Sequence, residues 1–282
     1  MEKKITNILI VTNFSASCKN AVETAIAMCK RHDSALHLLV IRKPNTVPFP
    51  PGKNARLIAD ILKSYVDQQK TLQSQAKAIQ EKHNISCFYH LVNGPFGEGI
   101  ASTAENFKCD LVILEKPAAD LFNITRSNNL YRILKYLNQP VLTVPSKNSR
   151  IDFKRILIPV RPYFSDLEKL DIALPILQKN NSNVTIMGAI AAQTATADAL
   201  FMEKLLQTAC HLIDRDNIQV EKETYVIKDL AKEVLFIAGE KKSDMIVISR
   251  KFRPGLAGLL HSSYSERVIS ASTVPVLSVK LH

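Results

Sequence analysis

Asn7 to Ser15 reads NILIVTNFS, and Arg155 to Ser165 reads RILIPVRPYFS. Each is a short apolar, β-branched run that stops at polar residues and leads into a helical pattern. The correspondence continues outward. CDLVILEK (Cys109 to Lys116) is matched by SDMIVISR (Ser243 to Arg250), and QPVLTVPS (Gln139 to Ser146) by VPVLSVKL (Val274 to Leu281). Three landmarks repeated in the same order identify a duplication. One domain is expected over residues 1–147 and a second over 151–282, with the polar stretch SKNSRIDFK (Ser146 to Lys154) as linker.

Within each copy, continuous runs rich in Val, Ile and Leu alternate with helical patterns. Such runs suit strands buried on both faces of a parallel sheet. Strands are predicted at 7–12, 35–42, 85–92, 110–115 and 140–144, and again at 155–160, 183–189, 218–227, 244–249 and 275–280. Helices are predicted at 17–32, 54–82, 97–107 and 128–138, then at 165–179, 195–214, 229–241 and 263–272. Ser15 or Ser17 is the expected cap of the first helix. Strand–helix–strand repetition implies right-handed crossovers and helices on both faces, so the class is α/β. Ligands in such sheets bind beyond the carboxyl ends of the strands, where the strand order reverses.

The 282 residues have an ordinary soluble composition, with 46% hydrophobic and 22% charged residues. No apolar run is long enough to span a bilayer, and the N-terminus lacks a signal-peptide core, which places the chain in the cytoplasm as an expectation. The five cysteines form no CxxC pair, so reduced, mostly buried thiols are expected and a zinc site is not. Cys18 is singled out because a helix N-terminus lowers a thiol pKa. The seven histidines show no metal spacing. The net charge of +11 is uneven: residues 1–150 carry 20 Lys/Arg against 11 Asp/Glu, and residues 151–282 carry 17 against 15. Without a basic motif interleaved with aromatics, nucleic acid is not the favoured partner.

The segment DMIVISRKFRPGLAGLLHSSYSERVISASTVPVLSV (Asp244 to Val279) resembles the C-terminal third of the universal stress protein domain. ILIVTNFSASCKNAVETAI resembles that family's first strand and helix. The resemblance covers nearly the whole chain, twice. It implies two tandem flavodoxin-like (adenine nucleotide alpha hydrolase-like) domains, each a five-stranded parallel sheet. It also implies that the last strands, PVLTV (Pro140 to Val144) and PVLSV (Pro275 to Val279), pair to make an intramolecular pseudo-dimer, with a homodimer left open.

ATP-binding members of that family carry G-x-x-G, nine residues, then G followed by Ser or Thr. Glycines let the backbone approach phosphate, and N–H groups at a helix start hold its charge. Here the second copy has Ser249-Arg250-Lys251-Phe252, nine residues, then Ser262-Ser263. The first has Leu114 to Pro117, then Ser127-Asn128. None of the motif glycines remains. The acidic residue that usually ends the first strand is Asn13 in one copy and Arg161 in the other. Weak or absent ATP binding follows, because Phe252 blocks the approach of phosphate and Pro117 has no N–H to offer.

The ligand-binding candidates are accordingly Arg161, Ser249, Arg250, Lys251, Ser262 and Ser263 in the second copy, and Thr12 and Asn13 in the first. Arg250, Lys251 and Arg253, joined by Arg161 from a neighbouring strand end, are read as a positive patch able to hold an anionic small molecule. Ser263-Tyr264-Ser265-Glu266 also fits a capping box, and Asn13 fits a turn. No nucleophile elbow, Walker loop, metalloprotease motif or carboxylate pair is present. The expected function is non-catalytic: a stress-response binding or signalling protein with degenerate nucleotide sites, acting on an anionic small molecule or a protein partner. The alternative is an adenine-nucleotide sensor that uses the second domain, with ATP as its cofactor.

Overall fold

The computed structural model describes residues 4–42, 54–116, 130–147, 151–215, 217–251 and 263–281. In the first half, β1 (Asn7–Val11), β2 (Ala35–Arg42), β3 (Cys87–Asn93), β4 (Leu111–Lys116) and β5 (Val141–Pro145) alternate with α1 (Lys19–His32), α2 (Asn54–His83) and α3 (Phe96–Asn106). A helical segment at residues 130–134 precedes β5. The second half contains β6 (Arg155–Val160), α4 (Glu168–Asn180), β7 (Asn183–Ala191), α5 (Ala195–Ile213), β8 (Gln219–Ile227), α6 (Leu230–Glu240), β9 (Met245–Arg250), α7 (Tyr264–Ala271) and β10 (Val276–Lys280). The expected elements are present with boundaries moved by a few residues, and the helix expected at 128–138 ends at 134.

The ten strands of the described residues belong to one sheet, in the order β3-β2-β1-β4-β5-β10-β9-β6-β7-β8. Each half is parallel throughout. Alternation along the strands feeds two apolar layers. Ile8 and Ile10 pack beneath α1 and α2, while Leu9 and Val11 pack beneath α3. Both layers continue through the two halves.

The same local devices recur in each copy. Asp110 accepts hydrogen bonds from the Thr6 and Asn7 amides at 2.7 and 3.0 Å, and Asp244 accepts from the Arg155 amide at 2.9 Å. Each aspartate thereby ties the start of a fourth strand to the start of a first. Helices α1 and α4 both end in left-handed caps, Asp33 (φ 55°) and Asn181 (φ 48°). These are residue types that tolerate this region. The serines that follow donate to the chain before the first strand: Ser34 to the Ile5 carbonyl at 2.6 Å, and Ser182 to the Phe153 carbonyl at 2.7 Å.

The halves meet at β5 and β10, which run antiparallel with Leu142 opposite Leu277. Thr143 donates to the Val276 carbonyl and Ser278 to the Val141 carbonyl, both at 3.2 Å. An apolar edge strand exposed in either half alone is thereby covered. Residues 151–153, at the end of the linker, are pinned as well. Arg31 of α1 donates to the Ile151 carbonyl at 2.7 Å and pairs with Asp152, and Phe153 is fully buried.

One irregularity bears on the site. The ladder between β1 and β4 registers four residue pairs, whereas that between β6 and β9 registers only Ile156 with Met245 and Leu157 with Ile246. Pro159 lies two residues further along β6 and has no N–H to give a neighbouring strand.

Candidate functional site

In both halves the strand order reverses beside the central strand, between β1 and β4 and between β6 and β9, so the crevices to inspect lie at the carboxyl ends of these strands.

In the first half this place holds a cavity of about 300 Å³. Val11, Val40, Ile41, Phe96, Leu114 and Ile133 supply apolar wall. Sheet register moves the expected motif start by one residue: Glu115, not Leu114, is equivalent to Ser249, so a carboxylate side chain stands where bare backbone is needed to cradle phosphate. The polar lining consists of Thr12, Asn13, Cys18 and Glu115. Thr12 and Asn13 build the turn out of β1: Thr12 Oγ1 accepts from the Phe14 amide and Asn13 Oδ1 from the Ser15 amide, each at 2.9 Å. These turns hold Phe14 in a left-handed conformation (φ 56°).

Cys18 is buried at the start of α1. Its Sγ lies 3.2 Å from Asn13 Oδ1 and 3.2 Å from Glu115 Oε2. The thiol does not have the lowered pKa expected of a helix N-terminus. Burial pushes it above its ordinary value; hydrogen bonding with Asn13 and Ser15 opposes this, and the Glu115 carboxylate adds a smaller rise. The expected serine cap is also missing, because neither Ser15 nor Cys18 makes a side-chain capping bond. Glu115 Oε1 is shut off from solvent and has no hydrogen-bond partner among the described residues.

The second half is built differently at equivalent positions. Asn13, Cys18, Ala21 and Glu115 correspond to Arg161, Asp166, Lys169 and Ser249. Asp166 Oδ2 lies 2.8 Å from Lys169 Nζ, and Asp166 Oδ1 lies 2.8 Å from an Arg161 guanidinium nitrogen. The Arg161 amide also donates to Asp166 at 2.8 Å. Asp166 and Lys169 are buried, whereas the Arg161 side chain keeps 22% of its exposure. Lys169 reaches Ser249 Oγ at 3.5 Å. The Arg161 guanidinium stands over the rings of Tyr163, at 4.7 Å, and Tyr264, at 5.5 Å. Burial by itself raises the Asp166 carboxyl, but Lys169 and Arg161 outweigh it and hold it well below the usual carboxylate range. A lysine thus rises from α4 into space that alanine leaves clear in α1.

Among the described residues the expected positive patch is not assembled, and Arg253 lies outside them. Arg250 is buried and points away from Arg161. Its guanidinium donates to the carbonyls of Leu134, Leu137 and Gln139 in the first half, at 2.6, 3.0 and 2.7 Å. The reason is strand alternation: Arg250 shares the face of Ile246 and Ile248, while Ser249 shares the opposite face with Met245 and Val247. Lys116, at the equivalent position of the first half, donates to the Ser272 carbonyl of the second. Lys251 is exposed. Ser263 caps α7 by accepting from the Glu266 amide at 3.2 Å, and it donates to the Tyr131 hydroxyl at 2.7 Å. Ser262, Phe252 and Pro117 lie outside the described residues.

Sequence reasoning missed Glu115, Asp166 and Lys169. The available signal was a lysine on the apolar face of a predicted helix. The histidines are also less scattered than expected. Sheet register brings His90 Nε2 within 2.9 Å of His37 Nδ1, although no group of three or more metal-ligating side chains occurs among the described residues.

Two parallel α/β units joined through their last strands, each with a strand-end crevice, define the class. The sequence profile of the Universal stress protein family matches residues 4–145 and 152–280, and the chain belongs to that family as a tandem, two-domain member. Its fold is similar to that of a universal stress protein from Archaeoglobus fulgidus DSM 4304, at 18% identity and a TM-score of 0.72, covering 99% of this chain and 97% of that one. A protein of unknown function from Pseudomonas aeruginosa PAO1 is similar at 18% identity and a TM-score of 0.66, covering 98% and 93%. The cytoplasmic domain of a prokaryotic cation chloride cotransporter has a TM-score of 0.56 at 13% identity, covering 98% and 95%. No curated protein sequence matches the chain. Among the described residues no helix is long and apolar enough to cross a membrane.

Proposed function

We propose that this chain is a stress-response binding protein that holds a ligand or partner without transforming it, and that its nucleotide sites are degenerate. The observation that carries this reading is the placement of side chains, in both strand-end crevices, where a phosphate would need bare backbone. In the first half Leu114 and Glu115 line the place where phosphate would lie, and a carboxylate repels phosphate. In the second half the Lys169–Asp166–Arg161 cluster occupies the corresponding volume. A triphosphate needs bare backbone donors at a helix start, and these arrangements favour neither copy for that purpose.

The cluster carries two cations against one anion, so a single positive charge remains. Arg161, its partly exposed member, is the group best placed to meet an anionic small molecule, with Ser249, Lys251 and Ser263 on neighbouring elements. Thr12 and Asn13 face the apolar cavity of the first half. The five free cysteines suit a reducing compartment, in keeping with a cytoplasmic protein. The domains divide at residues 148–150, and a protein partner or a second copy of the chain remains compatible with this reading.

Three measurements on the purified full chain test it: mass spectrometry for co-purified nucleotide, calorimetry with ATP, and assay of phosphate release. The expected results are no stoichiometric nucleotide, no saturable heat at millimolar ATP, and no release above background. ATP held tightly in the second half would replace this reading with that of an adenine-nucleotide sensor.

A further inference from the structure

We propose that the first-half cavity takes a small apolar molecule bearing a protonated amine, with Glu115 as its counter-ion. This inference rests on the reading of the first half as a binding site that does not hold a triphosphate, and it names the chemistry of the ligand.

Three observations converge on this. The cavity's volume of about 300 Å³ is roughly twice the ~150 Å³ void that accommodates benzene, so a bicyclic aromatic body fits. Its walls are mainly aliphatic, with Phe96 the one aromatic side chain among the described lining residues. Glu115 is the single charged group in that described lining, which contains no cation. Lys116, next in the chain, is turned across the joint to the Ser272 carbonyl.

The carboxylate is poorly satisfied. Oε1 has no solvent and no partner among the described residues. Oε2 lies within reach of the Cys18 thiol, but that thiol has one proton and a second acceptor, Asn13 Oδ1, at the same 3.2 Å. A thiol is a weak donor in any case. Glu115 is half-buried, and a carboxylate with one oxygen cut off from water gains from a charged donor that reaches the other from the cavity. An ammonium on an apolar body supplies that donor and fills the walls. An anion would meet Glu115 head on, and a neutral isostere would leave its charge uncompensated.

The test uses the full chain and three probes that share an indole body: tryptamine (cationic), tryptophol (neutral) and indole-3-propionate (anionic). Calorimetry at pH 7 is expected to rank tryptamine about tenfold tighter than tryptophol, as a charge-assisted hydrogen bond requires, with indole-3-propionate weakest. In Glu115→Gln, which keeps the shape and removes the charge, the preference for tryptamine falls to within about twofold. Tryptamine binding no tighter than tryptophol to the wild type overturns the inference, whatever the variant does, and leaves the non-nucleotide reading standing. ATP competing with tryptamine at micromolar concentration would instead overturn that reading, even if the amine preference is found.

Discussion

Leu142 and Leu277 hold the same place in the two copies and lie directly opposite one another where β5 meets β10. The joint is therefore self-complementary, like the interface of a two-fold dimer. Thr143 and Ser278, again equivalent, each donate to a carbonyl of the other strand at 3.2 Å. Thr143→Val and Ser278→Ala should each lower unfolding free energy by about 1 kcal/mol, the usual net worth of a buried hydrogen bond. Urea unfolding followed by circular dichroism checks this, and near-equal costs are the signature of the symmetry.

Arg250 crosses the same joint to three carbonyls of the first half. Arg250→Ala strips donors from buried acceptors and should cost about 3–5 kcal/mol. Arg250→Lys should recover only part of this, because an ammonium lacks the planar fork that reaches several carbonyls at once. The midpoint of urea unfolding reads both effects. A surface role for Arg250 would leave both variants near wild type.

Asp166→Asn should leave Lys169 as an uncompensated buried cation and cost about 3–5 kcal/mol. The double variant Asp166→Asn with Lys169→Met removes both charges, and Arg161 can turn to solvent through its remaining exposure. The double variant should be more stable than Asp166→Asn alone. Thermal unfolding of the three proteins gives the order directly.

Acid should weaken the fold between pH 6.5 and about 4. Burial pulls His32 down to about 4, helped by the charges of Lys179 and Arg31, and burial with His37 does the same to His90. Unfolded imidazoles take up protons below about pH 6.5 while these two stay neutral until about pH 4, so the unfolded state gains relative stability as pH falls across this window. Unfolding midpoints measured every half pH unit should decline there, and His32→Gln should flatten the decline.

Thiol reactivity provides a separate check on the first-half site. Burial raises the pKa of both thiols, but Cys18 is buried whereas Cys210 is partly exposed, so access separates them. Iodoacetamide at about pH 7.5 should label Cys210 well before Cys18, as read by peptide mass spectrometry. Fast labelling of Cys18 would mean that its thiol is activated and presented to the cavity.

The fold was legible in the sequence because its evidence is local and doubled. NILIV and RILIPV read as strands from their own composition, and Leu111–Lys116 and Met245–Arg250 repeat the pattern at matching positions. Each copy therefore supported the assignment of the other. The loss of the motif glycines was equally plain, since it needs only the letters at fixed spacing. The contents of the crevices were not plain. Cys18 and Glu115 are 97 positions apart and meet only because β4 pairs with β1. Asp166 read as a residue at a helix start, and its role emerged once Lys169 and Arg161 were seen to converge on it.

Sequence alone was enough to establish duplication and the alternation of strands and helices, because each depends on neighbours along the chain. Tertiary structure decided which way each charge faces. Ser249 and Arg250 are adjacent, yet one meets Lys169 in the crevice and the other caps carbonyls across the joint. A strand turns successive side chains to opposite faces, and only the packing of helices and of the second half against those faces settles what each side chain meets.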